Sequence, residues 1–115
     1  MNFELTEEQR LFQDAVGAFA RDHLAEGALE RAHAGEYPRD VARLMAENGL
    51  LGITISEEDG GQGGSLMDAV IAIQEVAMHC PRSADVIQAG SFGAIRVLAA
   101  YGTPDQKERY LKPLL

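Results

Sequence analysis

Apolar residues in the first quarter of the chain fall on one stripe. Leu11, Phe12, Ala15, Val16, Phe19, Ala20 and Leu24 recur at intervals of three and four, with Glu8, Arg10, Asp14 and Arg21 off the stripe. This spacing predicts a helix over about residues 7–25, and Thr6 followed by Gln9 supplies a capping box at its start. The segment from Ala25 to Arg31 is ambiguous, and His33 to Pro38 reads as a loop. Pro38 suits the first position of a second helix with the stripe Val41, Leu44 and Met45, ended by Gly49 in the left-handed conformation. Leu50 to Ile55 is short and apolar but has no partner strand, so it is expected to be buried extended chain.

Four glycines in the five residues Gly60–Gly64 then force a loop. Ser65 with Asp68 forms a second capping box and opens a third helix, Leu66 to about Cys80. That helix is apolar on nearly every side, which predicts a central position covered by neighbours. Pro81 stops it. A fourth helical segment, about Ala84 to Tyr101, is loosened by Gly90 and Gly93 and ended by Gly102. Thr103 and Gln106 form a third capping box with Pro104 at the first helical position, and Tyr110, Leu111 and Leu114 are expected on one side of the last helix. The pattern predicts an all-α, up-and-down bundle of about five helices in one domain, residues 1–115.

Composition narrows the function. An apolar content of 46% over 115 residues is enough for a core. Eighteen acidic against ten basic residues give a net charge of −8 with no basic patch, which disfavours nucleic-acid binding. No apolar run reaches the ~20 residues of a membrane span. Cys80 is the only cysteine, and the start of the chain lacks a basic, then apolar, leader, so a reducing, cytoplasmic setting is the expectation.

Candidate chemistry thins out on inspection. The glycine loop precedes a helix N-terminus, where phosphate can bind, but Leu66 stands where the dinucleotide fingerprint needs glycine, no Gly-Lys precedes Ser65, and Glu57, Glu58 and Asp59 would repel an anion. Aligned as a calcium loop, the stretch puts Ile55 at the first ligand position. His79 and Cys80 are neighbours in sequence, so on a helix they diverge by about 100° and make neither a metal pair nor a nucleophile with its base. No catalytic, cofactor-binding or metal-ligating residue is identified in this chain.

Four blocks, in order and spacing, carry more information together. Thr6-Glu7-Glu8-Gln9-Arg10, Leu44 through Ile53, Glu57 through Ser65, and Tyr101 through Leu111 resemble the N-terminal helical domain of the acyl-CoA dehydrogenase family, and the resemblance covers the entire chain. One departure is Ser56, where many members have proline. The resemblance implies a parent enzyme that is FAD-dependent and oxidises an acyl-CoA thioester to its trans-2-enoyl form, a carboxylate taking the α-proton while the β-hydride moves to the flavin. It implies further a β-rich domain and a second helical domain beyond this one, which supply the catalytic base and most flavin contacts. The 115-residue chain is therefore expected to be a fragment, inactive alone and without stable FAD binding. The implied partners are the acyl-CoA substrate and an electron-accepting flavoprotein, with a homo-oligomer for the full-length chain. In this family the fourth helix forms one wall of the acyl pocket, which points to Asp85, Gln88, Ala89 and Phe92 as substrate-binding residues. Their spacing of three, four and seven fits one helical face. The alternative for Ala89 and Phe92 is packing within the bundle, and for Asp85 either exposure to solvent or an acyl group that carries something polar. The alternative for the whole chain is a free-standing helical binding module without catalysis.

Overall fold

The computed structural model describes residues 1–115. Helix α1, Glu7–His23, starts at the expected capping box: the Gln9 amide donates to Thr6 Oγ1 at 3.2 Å and the Thr6 amide to Gln9 Oε1 at 2.9 Å. Val16 and Ala20 from its stripe, with Leu24 just past it, reach the core. The ambiguous segment resolves into a short helix α2, Ala28–His33, that buries none of its own residues. Arg31 of α2 folds back to donate to the carbonyls of Leu24 and Glu26, placing a cation at the negative end of α1. Helix α3, Arg39–Glu47, has Pro38 at its N-cap, one residue earlier than expected, and Gly49 at φ 72° follows its end as predicted.

Leu50, Leu51, Ile53 and Ile55 are buried, as the pattern requires, but the backbone turns instead of extending. With no neighbouring strand, its polar groups are satisfied by turns and by distant helices: Ile55 N donates to Gly52 O, and Gly52 N donates to Gly90 O at 2.8 Å.

Helix α4, Leu66–Ala77, begins at the Ser65–Asp68 capping box and packs against α1 and against α5, Pro81–Ser91. Ala69, Ile71, Ala72 and Val76 are buried. Leu66, Met67, Val70 and Met78 are not, so the helix expected to be covered all round keeps one apolar face open. The expected fourth helix is two helices. The chain leaves α5 at Phe92 in extended geometry, turns at Gly93 with φ 67°, and resumes as α6, Ala94–Tyr101. The last element starts at the Thr103–Gln106 capping box as α7, Pro104–Gln106, widens into a π-turn over Lys107–Leu111 and tightens to 3₁₀ over Lys112–Leu114. Those changes of pitch rotate the side chains away from a single stripe: Leu111 is buried, whereas Tyr110 and Leu114 face out.

The result is all-α, with more and shorter helices than expected, in a slab of 43 × 39 × 22 Å. A main core joins α1, α3, α4, α5 and the Leu50–Ile53 turn. A smaller one joins Ile55, Ile95 and Leu111. No helix is long and apolar enough to cross a membrane.

Candidate functional site

Helix α5 is held at both ends. At its start, Pro81 takes the first helical position and Cys80 the N-cap. The fully buried Cys80 Sγ accepts from the Ser83 hydroxyl at 3.0 Å and from Arg31 Nε at 3.5 Å. Burial pushes the thiol pKa up, but the Ser83 and Arg31 hydrogen bonds and the Arg31 charge outweigh it and leave the thiol below its usual range. Arg82 donates to the Glu36 carbonyl at 3.3 Å and ties the 34–38 loop to the same end. At the far end, Gly90 O accepts from Gly52, Ser91 O accepts from the Thr54 hydroxyl, and Gly90 lies flat against Leu51. The Ser91 hydroxyl is buried without a partner.

Ser83, Ala84, Val86 and Ile87 fill the inward side of α5. The outward side carries Asp85, Gln88 and Ala89, all exposed and within one turn of one another. The structure thus brings three of the four sequence candidates onto one open face. Asp85 makes no hydrogen bond through its side chain and no ion pair in this chain, so its carboxylate stands in solvent. Phe92 departs from the set: it follows the last helical residue and lies half-buried against the main core. Ala89 does not pack the bundle interior, while Phe92 does.

The amides of the glycine loop are committed to acceptors within the chain. The amides of Asp59, Gly60 and Gly61 donate to carbonyls of Ser56 and Glu57, those of Gln62, Gly63 and Gly64 donate to Gly52, Ile55 and Ile53, and Ser65 N donates to Asp68 Oδ2. No amide from Asp59 to Ser65 is left to face a phosphate. The stretch set aside as a phosphate cradle on sequence grounds therefore offers no free loop amide between Asp59 and Ser65 to the diphosphate of FAD. Its acidic rim is instead a tether: Lys107 Nζ lies 3.0 Å from Asp59 Oδ1. That hydrogen bond, with one from Ser56, holds the Asp59 carboxyl below its ordinary value against a smaller desolvation.

Besides the open face of α4, sequence reasoning missed a cleft on α1. Phe12, Ala15, Val16 and Phe19 of α1, with Asn48 and Leu50, line an open apolar cleft of about 260 Å³ that can take an apolar side chain. The signal was present in the α1 stripe, which is wider than the part of it that reaches the core.

Comparison with known proteins adds a family. The family described as acyl-CoA dehydrogenase, N-terminal domain, matches residues 6–115. A probable acyl-CoA dehydrogenase of Bacillus subtilis, YngJ, is 38% identical over 115 residues, 99% of this chain and 30% of that protein. A short-chain-specific acyl-CoA dehydrogenase of Clostridium acetobutylicum is 32% identical over 114 residues, again 99% of this chain and 30% of that protein. A chain from the solved structure of an electron transferring flavoprotein of Acidaminococcus fermentans superposes with a TM-score of 0.86 at 31% identity, covering 99% of this chain and 30% of that one. The chain thus spans about 30% of the length of these relatives.

Proposed function

Because this chain belongs to the acyl-CoA dehydrogenase family, as its N-terminal domain, we propose that it forms one wall of the acyl pocket in a flavin-dependent enzyme oxidising an acyl-CoA thioester to its trans-2-enoyl form. The family match over residues 6–115 carries this reading. FAD is the cofactor of the whole protein and contributes the electron-accepting chemistry. In this reading the catalytic base and most flavin contacts lie outside this chain, whose residues bind and orient the acyl group. The wall is the outward face of α5, where Asp85, Gln88 and Ala89 are exposed on a helix anchored at both ends, with Phe92 at its edge. Such anchoring suits a pocket wall, since a positioned surface loses affinity if it moves. The proposed partners are the acyl-CoA substrate, an electron-accepting flavoprotein and further copies of the full-length chain.

The test uses the full-length, flavin-loaded protein. Anaerobic addition of acyl-CoA is expected to bleach the visible flavin band, and Ala89→Trp, which fills the space in front of α5, is expected to lower kcat/KM by about tenfold or more. Bleaching that Ala89→Trp leaves untouched would remove α5 from the pocket; a full-length protein that takes up no flavin would remove the enzyme. The 115-residue chain alone is expected neither to retain FAD nor to reduce an artificial acceptor.

A further inference from the structure

The outward face of α5 is polar where a hydrocarbon pocket would be apolar. Asp85 and Gln88 stand one turn apart on it, both exposed. Neither side chain is engaged by another residue of the chain. The basic residue nearest along the same helix, Arg82, already donates to the Glu36 carbonyl at 3.3 Å. Beside the pair, Ala89 projects only a methyl group, so the space in front of the two polar side chains is open.

We infer that the acyl group bound against α5 carries a hydrogen-bond donor, a hydroxyl or an ammonium, that pairs with the Asp85 carboxylate and is oriented by the Gln88 amide. The inference rests on α5 being the pocket wall and names the class of substrate that this wall selects. A carboxylate accepts hydrogen bonds and donates none; covered by a saturated chain, it would lose its water and gain nothing in return. A donor on the substrate replaces that water, and a charged partner forms the stronger, charge-assisted bond. The Gln88 amide, one turn away, can both donate to and accept from a hydroxyl, so the two side chains together fix one orientation of the substituent. Sites built this way discriminate strongly against an analogue that lacks the donor, because the pocket's polar groups are then left unpaired.

The experiment measures kcat/KM of the full-length, flavin-loaded protein on three acyl-CoA thioesters of equal chain length: saturated, ω-hydroxy and ω-amino. Each is tested with the original protein and with Asp85→Leu, Asp85→Asn and Ala89→Trp. The original protein is expected to prefer a donor-bearing substrate over the saturated one by about tenfold or more. Asp85→Leu is expected to reverse the preference. Asp85→Asn separates the two donors: a hydroxyacyl preference survives it, whereas an aminoacyl preference is lost with the charge. A preference for the saturated substrate that Asp85→Leu does not alter would overturn the inference, and if Ala89→Trp still slowed all three, the pocket wall would stand without it. If Ala89→Trp slowed none of the three, the wall reading would fall and the inference with it.

Discussion

Gly61 is the position where a single methyl group costs most. A Cβ there would fall on the Ile55 carbonyl and side chain, both fixed in the small core, whereas at Gly35 it would meet nothing within 4 Å. Gly61→Ala is therefore expected to destabilise the chain by about 3 kcal/mol, and Gly35→Ala to change stability by less than ~0.5 kcal/mol, as read by urea denaturation. Asp59 gives a pH-dependent counterpart. Its carboxyl pKa is lowered in the folded chain by Lys107 first and Ser56 after it, so its contribution is present above the unfolded carboxylate pKa and is lost as pH falls through the lower, folded one. Lys107→Met should reduce stability at neutral pH, and the gap between variant and parent should close in acid, below the ordinary carboxylate range; a gap of constant size from neutral to acid pH would contradict the assignment. What was legible at this scale was what one helix face contains. Asp85, Gln88 and Ala89 emerge together because helical spacing alone decides it. The contact of Arg31 with Cys80, 49 residues apart, depends on how α2 folds back and leaves no local signal.

At the scale of elements, the starts of helices were readable and their interruptions were not. All three capping boxes form as the sequence indicates, because each is closed by residues three apart. Ser65→Ala removes the acceptor for Asp68 N at the mouth of α4 and is expected to cost about 1 kcal/mol, measurable as a lowered urea midpoint with an unchanged slope. The division between α5 and α6 was hidden because Gly90 and Gly93 look alike in sequence. Gly90 stays in the helix and gives Leu51 room, while Gly93 takes φ 67°, which side chains resist, and breaks it. Gly93→Ala should consequently destabilise by about 1 kcal/mol although the space around it is open. The break matters for the site: it ends the open face at Ala89 and turns Phe92 toward the core, which uninterrupted spacing could not reveal. The π-turn over Lys107–Leu111 escaped for the same reason, since a change of pitch has no composition of its own.

For the molecule as a whole, the error in reading α4 is a matter of thickness. An all-round apolar helix implies neighbours on all sides, and the slab is only 22 Å through its thin direction, about two helix diameters. With α1 and α5 packed on it, α4 has its other side at the surface. Leu66, Val70 and Met78 recur there at multiples of four residues, with Met67 beside them, and Met78 is 70% exposed. A row of this kind adheres to other apolar surfaces. The 115-residue chain is therefore expected to self-associate as its concentration rises and to bind a hydrophobic dye while fully helical. Replacing two members of the row, Val70→Glu and Met78→Lys, should abolish both effects. Because these side chains are exposed and touch the core little, the double variant should keep its helicity and lie within ~0.5 kcal/mol of the parent in stability. Sedimentation velocity over a range of concentrations, with dye fluorescence and circular dichroism on the same samples, decides the matter. Association that persists in the double variant would move the adhesive surface elsewhere, and the open cleft lined by Phe12 and Phe19 on α1 would be the next to substitute.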